Sequence, residues 1–193
     1  ESQDIAAIEQ CFDKIPVKPG DVFLIPGGRP HALGEGILML EIMEPSDLAV
    51  RFEFERGGYV IPEPARFMGR GIETALDVFN FEAVAPEEVD VEFRCPSKVL
   101  ERDTQGNCLE QLVGPDKTAC FTVKRASVRS RFKRTEDAFF YGVVIGGSGT
   151  LRTGEEVTHL KRWDRFFCPA AVVNFEYESD SGMSILECYP GSR

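Results

Sequence analysis

Long apolar runs are missing from this chain. The most apolar stretches are Gly36–Met43 (broken by Glu41), Phe139–Gly147 and Phe166–Phe175. Each falls far short of the ~18 residues that a membrane-spanning helix needs, so no membrane partner is expected. No basic segment followed by an apolar one is seen near the start, and no secretory leader is expected. Cations are in deficit: 22 Lys and Arg stand against 32 Asp and Glu, a net charge of −10. That disfavours a nucleic-acid binder, which needs clustered cations to release counterions. It leaves room for a small anionic substrate, which needs only a few local cations. The six cysteines contain no C-x-x-C pair, so neither a cysteine zinc site nor a disulfide framework has spacing support. Reduced, buried thiols in a cytoplasmic protein are the expectation, several of them in apolar strand-like runs such as Ala119-Cys120-Phe121. Histidine is scarce, with only His31 and His159.

What remains is globular. The chain is 42% hydrophobic with 15 Phe in 193 residues, enough for an ordinary core without metal or disulfide staples. Residues 2–12 predict a short helix, with Ser2 as N-cap and Ile5, Ile8 and Phe12 at helical spacing. Pro16 and Pro19-Gly20 end it. The text is then β-like: Val22–Ile25 and Ile37–Met43 read as strands, and Val50–Glu55 alternates cleanly. Gly57-Gly58 punctuates the chain, and a Pro-rich stretch with a helix over 72–79 follows. The β pattern returns after Val89 and runs to Tyr189. Turn signals recur at Gln105-Gly106-Asn107, Gly146-Gly147-Ser148-Gly149 and Thr153-Gly154. The glycine cluster lacks the Lys and helix of a phosphate loop and reads as a hairpin turn. Many short strands suggest a sandwich or barrel.

One β unit is weakly repeated. Lys18–Pro26 can be laid over Lys161–Pro169, each a basic residue, a turn with Asp, an apolar run, then Pro. The same register sets Gly28 against Ala171 and His31 against Asn174. Only the first copy carries an imidazole, so the second is expected to be structural and to bind no metal.

The first copy reads Gly20-x5-Pro26-x-Gly28-x2-His31, with Glu35 four residues on. This resembles the second sequence motif of the cupin barrels, G-x5-P-x-G-x2-H-x3-N, with Glu35 in place of the final Asn. The physical logic is a tight turn, an apolar run across the wall, a bend at Pro and Gly, and an inward imidazole able to ligate a metal. Residues 15–56 are also similar to the type I mannose-6-phosphate isomerases, especially the short bacterial form. That family's pattern is matched by Lys18-Pro19-Gly20-Asp21, His31-Ala32, Gly34, Gly36-Ile37, Glu41, Ser46-Asp47 and Arg51. The C-terminal half resembles the family's degenerate second barrel at pattern level.

The resemblance implies an all-β double cupin, two jelly-roll barrels with a short helical linker. Residues 1–56 would be the C-terminal part of the first, metal-binding barrel, 57–90 the linker, and 91–193 the second barrel. It implies a zinc-dependent aldose–ketose isomerase interconverting mannose 6-phosphate and fructose 6-phosphate. His31 would be a ligand of one zinc ion in the first barrel, and Arg51 an active-site residue touching substrate or transition-state oxygens. Glu41, on an otherwise apolar run, would be a site carboxylate. Read from alternation alone, Arg51 would be a solvated residue beside Glu53 and Glu55. The family's other ligands are a Gln, a His and a Glu, and no Q-x-H-P segment occurs here. His159 falls in the other barrel. The remaining ligands are therefore expected upstream of this chain, from a missing N-terminal half; a self-association partner is the other expectation. The alternative is a non-catalytic sugar-binding or assembly module of the same ancestry.

Overall fold

The structure is a computed structural model that describes residues 3–44 and 49–191. Ser2 and Ser46-Asp47 lie outside the described residues. The chain divides into two compact units, 1–94 and 95–193. None of the described helices is long and apolar enough to cross a membrane.

The first unit is built from short elements joined by extended chain. Helix α1 (Ile5–Glu9) is capped by Asp4, whose Oδ1 accepts the Ala7 N–H at 3.0 Å. Gln3 reaches across the sequence: its Oε1 accepts the N–H groups of Phe54 and Glu55 at 2.6 and 3.0 Å. Strands β1 (Glu55–Arg56) and β2 (Tyr59–Val60) form a hairpin around Gly57-Gly58. Helices α2 (Glu63–Arg66), α3 (Ile72–Leu76) and α4 (Pro86–Glu92) follow. Proline opens α2 and α4, where its missing N–H costs nothing.

The strands expected in this unit do not form as ladders. Phe23 makes an isolated bridge to Arg94, and the Leu24 N–H bonds the Phe93 carbonyl at 2.8 Å. Ile37–Met43 is irregular and mostly exposed; Leu38 is 79% exposed. In the Val50–Glu55 run only Glu55 lies in a strand. The alternation is nonetheless legible in burial: Val50, Phe52 and Phe54 are half-buried, while Arg51, Glu53 and Glu55 are exposed. Phe52 stacks on Phe79 at 5.0 Å, and the Arg66 guanidinium lies 4.0 Å from the Phe54 ring centre. An apolar run becomes a strand only when a neighbour satisfies its backbone groups. Among the described residues, Ile37–Met43 has no such neighbour. The buried apolar residues described in the first unit are Ala75 and Phe93.

The second unit carries the main core. Nine strands among the described residues pair in one antiparallel system: β3 (Lys98–Arg102), β4 (Cys108–Val113), β5 (Phe121–Val128), β6 (Arg131–Thr135), β7 (Phe140–Thr153), β8 (Glu156–Lys161), β9 (Arg165–Cys168), β10 (Asn174–Glu178) and β11 (Met183–Pro190). The spatial order is β3-β4-β5-β11-β7-β10-β6, with β8 and β9 also paired to β7. The long β7 pairs β9 and β11 through its first half and β8 and β10 through its second. It therefore passes from one face of the curl to the other. The apolar core between the faces includes Phe132, Phe140, Val144, Phe175, Tyr177 and Ile185. Burying each such side chain is worth ~1.5–3 kcal/mol. All-β architecture is thus realised in this unit.

Two local expectations are corrected by the structure. Gly146-Gly147-Ser148-Gly149 is not a hairpin turn but the corner inside β7, next to a shift in register against Ser184 and Ile185. Gly147 has φ 70°, and a Cβ there would run into the Gly182 carbonyl, so the corner needs glycine. Cys120, expected to be buried in an apolar strand, is exposed just before β5. No disulfide forms among the described residues, and Cys95, Cys108 and Cys168 are buried. The turn expected at Thr153-Gly154 does form, joining β7 to β8 with Thr153 paired to Glu156. The turn at Gln105–Asn107 closes on Asn107, fully buried, whose Oδ1 accepts the Arg129 and Ser130 N–H groups at 2.7 and 3.1 Å.

Candidate metal centre

The His31 loop is fixed from both sides. At its start, Asp21 closes a turn: its Oδ2 accepts the Lys18 N–H at 2.9 Å, and its own N–H bonds the Lys18 carbonyl at 3.1 Å. Arg94 pairs with the same Oδ2 at 2.7 Å and stacks on Phe23 at 4.5 Å. The Lys18 N–H and then Arg94 hold the Asp21 carboxyl below its ordinary range. Further on, the Arg29 N–H bonds the Pro26 carbonyl at 3.3 Å and the Asn80 N–H bonds the Gly28 carbonyl at 2.8 Å. A Cβ on Gly28, at φ 81°, would press on the Val78 carbonyl.

Arg29 is the anchor. Its Nη1 donates to the Glu82 carbonyl at 2.6 Å, its Nη2 lies 3.7 Å from Glu92, and its Cζ sits 5.5 Å from the Phe93 ring centre. The sequence motif leaves this residue unspecified. The available signal was position, since it is the cation inside the Pro-Gly loop that precedes His31.

His31 is exposed, and its Nδ1 lies 2.9 Å from the Arg29 carbonyl. A carbonyl can only accept, so Nδ1 carries the proton, and in the neutral ring the lone pair is on Nε2. Metal-binding histidines are commonly oriented this way, with the second ring nitrogen donating to a carbonyl or carboxylate. Glu41 and Arg51 are both exposed. The Arg51 main-chain N–H bonds the Arg66 carbonyl at 3.1 Å, which fixes its backbone beside α2. No hydrogen bond or ion pair joins the side chains of His31, Glu41 and Arg51, and His31 and Glu41 belong to no metal-binding group among the described residues.

A catalytic zinc takes three protein ligands and keeps an open position. Among the described residues no group of three or more His, Cys, Asp or Glu is disposed to hold a metal ion. The described residues therefore do not make up a whole zinc sphere. In the second copy, Asn174 stands where the repeat expects the imidazole. Its Oδ1 accepts the Thr135 hydroxyl at 3.1 Å, an exposed contact.

No protein-family model matches the chain. It is 28% identical over 174 residues to the mannose-6-phosphate isomerase of Streptococcus mutans, covering 89% of this chain and 50% of that protein. It is 26% identical over 172 residues to the mannose-6-phosphate isomerase ManA of Bacillus subtilis, covering 88% and 50%. A 44-residue stretch is 46% identical to GmuF, a probable mannose-6-phosphate isomerase of B. subtilis, covering 22% of this chain and 14% of that protein. The solved mannose-6-phosphate isomerase from B. subtilis matches 71% of this chain and 39% of its own, with a TM-score of 0.50 at 17% identity. That likeness concerns the fold alone. The chain thus resembles mannose-6-phosphate isomerases over most of its length, and it spans about half the length of the curated relatives it matches.

Proposed function

We propose that this chain is part of a double-cupin, zinc-dependent aldose–ketose isomerase that interconverts mannose 6-phosphate and fructose 6-phosphate in the cytoplasm. The observation that carries the reading is the His31 ring. It stands at the motif position on an exposed residue, and its Nδ1–H is given to the Arg29 carbonyl, so that Nε2 is the nitrogen a metal would take. The likeness to named mannose-6-phosphate isomerases supports the substrate class.

Isomerisation moves a proton between C1 and C2 of the sugar through an enediol. Zinc, when bound, would supply a positive charge beside the reacting oxygens. Within this chain His31 would hold it, and its other ligands would come from outside the described residues. Arg51 is assigned to the developing oxyanion, because a guanidinium offers donors in a fixed fork. Glu41 is assigned as an acceptor at the sugar, and His31 as a ligand rather than a proton carrier.

The test uses the full-length protein. Zinc content and isomerisation of mannose 6-phosphate are measured for the wild type, His31→Ala and Arg51→Gln. The reading expects His31→Ala to lose zinc together with turnover. It expects Arg51→Gln to keep zinc and lose turnover by roughly a hundredfold or more. A zinc-loaded wild type without turnover, whose sugar binding survives chelation, makes the protein a non-catalytic sugar-binding module instead.

A further inference from the structure

The second unit keeps a charge where an apolar core would be expected. Glu187 is fully buried, and three donors converge on it: Tyr177 Oη at 3.1 Å, Tyr189 Oη at 2.8 Å and Arg134 Nη2 at 2.9 Å. Arg134, its side chain 4% exposed, also gives Nη2 to Glu136 Oε1 at 2.6 Å. Lys124 donates to that same oxygen at 2.9 Å and lies 4.3 Å from the Tyr189 ring centre. Two cations thus face two carboxylates, and the cluster is neutral within itself. Arg134 Nε is the buried side-chain polar atom without a partner among the described residues.

The cluster has a position in the repeat. Arg134 is the Cα partner of Phe175, the residue after Asn174, and Asn174 is the counterpart of His31. Asn174 itself bonds Thr135 at an exposed position. Asn174 and Thr135 are exposed, and the guanidinium lies inside the curl on the opposite face of the same strand pair, one residue along from the counterpart of the imidazole. Phe140 and Tyr177, both fully buried, pack the same interior. We propose that the Arg134 guanidinium is the resident cation of the second unit's interior, and that its cluster closes this interior to metal ions and to anions. The inference rests on the repeat and the cluster, and it stands whether or not the zinc reading of the first unit holds.

A buried pair broken from one side leaves an uncompensated charge, whereas removing both charges together can be nearly neutral. The chain has one tryptophan, Trp163, and it lies in the second unit, so its fluorescence reports that unit's unfolding in urea. Arg134→Met and Glu187→Gln should each raise the unfolding constant about a hundredfold. In the double variant the introduced amide oxygen accepts from one tyrosine, and its NH2 donates to the hydroxyl of the other. Its effect should fall short of the product of the singles by roughly tenfold or more. Simple multiplication of the two effects would overturn the coupled cluster. The second arm adds zinc chloride or inorganic phosphate to the wild type, His31→Ala and Arg134→Lys. No shift of the Trp163 midpoint, or a shift of equal size in Arg134→Lys, fits a closed interior. A saturable shift that survives in His31→Ala and vanishes in Arg134→Lys overturns it.

Discussion

Asp21 and Asp164 close the same turn in the two units. Each Oδ2 accepts the N–H of the lysine three residues earlier at 2.9 Å, Lys18 in one case and Lys161 in the other. Each aspartate N–H returns to that lysine's carbonyl, at 3.1 and 2.9 Å. The residue before each aspartate is left-handed: Gly20 at φ 97° and Trp163 at φ 74°. The likeness continues downstream, where the Arg29 N–H bonds the Pro26 carbonyl at 3.3 Å and the Val172 N–H bonds the Pro169 carbonyl at 2.9 Å. The weak sequence repeat is therefore a repeat of turn geometry, and between the turns the copies differ, since Arg165–Cys168 is a paired strand while Phe23 makes only an isolated bridge.

Trp163 holds a conformation that its counterpart meets with glycine. A left-handed L-residue costs ~1–2 kcal/mol. Trp163 is also 48% exposed, with the Arg162 guanidinium 4.6 Å from its ring centre, so little packing is lost on truncation. Trp163→Gly should stabilise the protein by about 1 kcal/mol, offset in part by the freedom glycine gains in the unfolded chain. Urea unfolding followed by circular dichroism measures it, and a loss of stability would show that the indole is held by more than its turn.

The corner of β7 should be intolerant of any side chain. Gly147→Ala combines a positive φ with a clash against the Gly182 carbonyl, and should cost roughly 3 kcal/mol. Gly154 has φ 64° but open space around its Cα, so Gly154→Ala should cost only about 1 kcal/mol. The difference in thermal midpoint between the two variants isolates the clash from the dihedral.

Stability should fall in acid through Glu136. Burial alone would raise its carboxyl, but Lys124 and Arg134 outweigh that and hold it below its ordinary value. A carboxylate depressed in the folded state stabilises above its unfolded value and loses that contribution as pH falls through the folded one. Unfolding free energy should thus be flat with respect to Glu136 above pH ~5 and decline below it. Glu136→Gln should remove part of that decline and lower stability at neutral pH. Denaturant titrations from roughly pH 3 to pH 7, a span that brackets ordinary carboxylates, test both signs.

The second half of the chain was legible because its strands find partners within the chain. Phe140, Val144, Tyr177 and Ile185 alternate inward as the sequence pattern requires. The first half was legible only as motifs. Leu38 and Leu40 belong to a continuous apolar run that reads as a two-face-buried strand, yet both are exposed, since periodicity reports what a segment can pair with and not whether the pair is present. The turn at Gly20-Asp21 followed from residue types with strict local geometry, whereas His31, expected to point inward, is exposed. Arg29 escaped notice because a guanidinium's partners, here Glu82, Glu92 and Phe93, lie more than fifty residues away. The Arg134–Glu187 pair, also far apart in sequence, escaped for the same reason.

Arg29 should act on the metal through His31 without touching it. Its carbonyl orients the ring, and its side chain ties the loop to Glu82, Glu92 and Phe93. Arg29→Met keeps the carbonyl and the stem but removes the Glu82 and Glu92 bonds and the charge over Phe93. The loop then gains freedom, and the free-state ring must be ordered on binding. Losing a partner that orients a ligand typically costs 10–100-fold in metal affinity, so a fall of roughly that size is expected in the full-length protein. His31→Ala should remove zinc altogether while leaving stability within about 0.5 kcal/mol, because the side chain is exposed. Arg29→Lys separates charge from fork: it restores the cation over Phe93 but not the same reach to the Glu82 carbonyl, and should recover part of the affinity. Isothermal titration with zinc on the three variants, alongside their thermal midpoints, distinguishes a positioning role from a merely structural one. If Arg29→Met lowers the midpoint yet binds zinc like the wild type, the loop's anchoring has nothing to do with the metal.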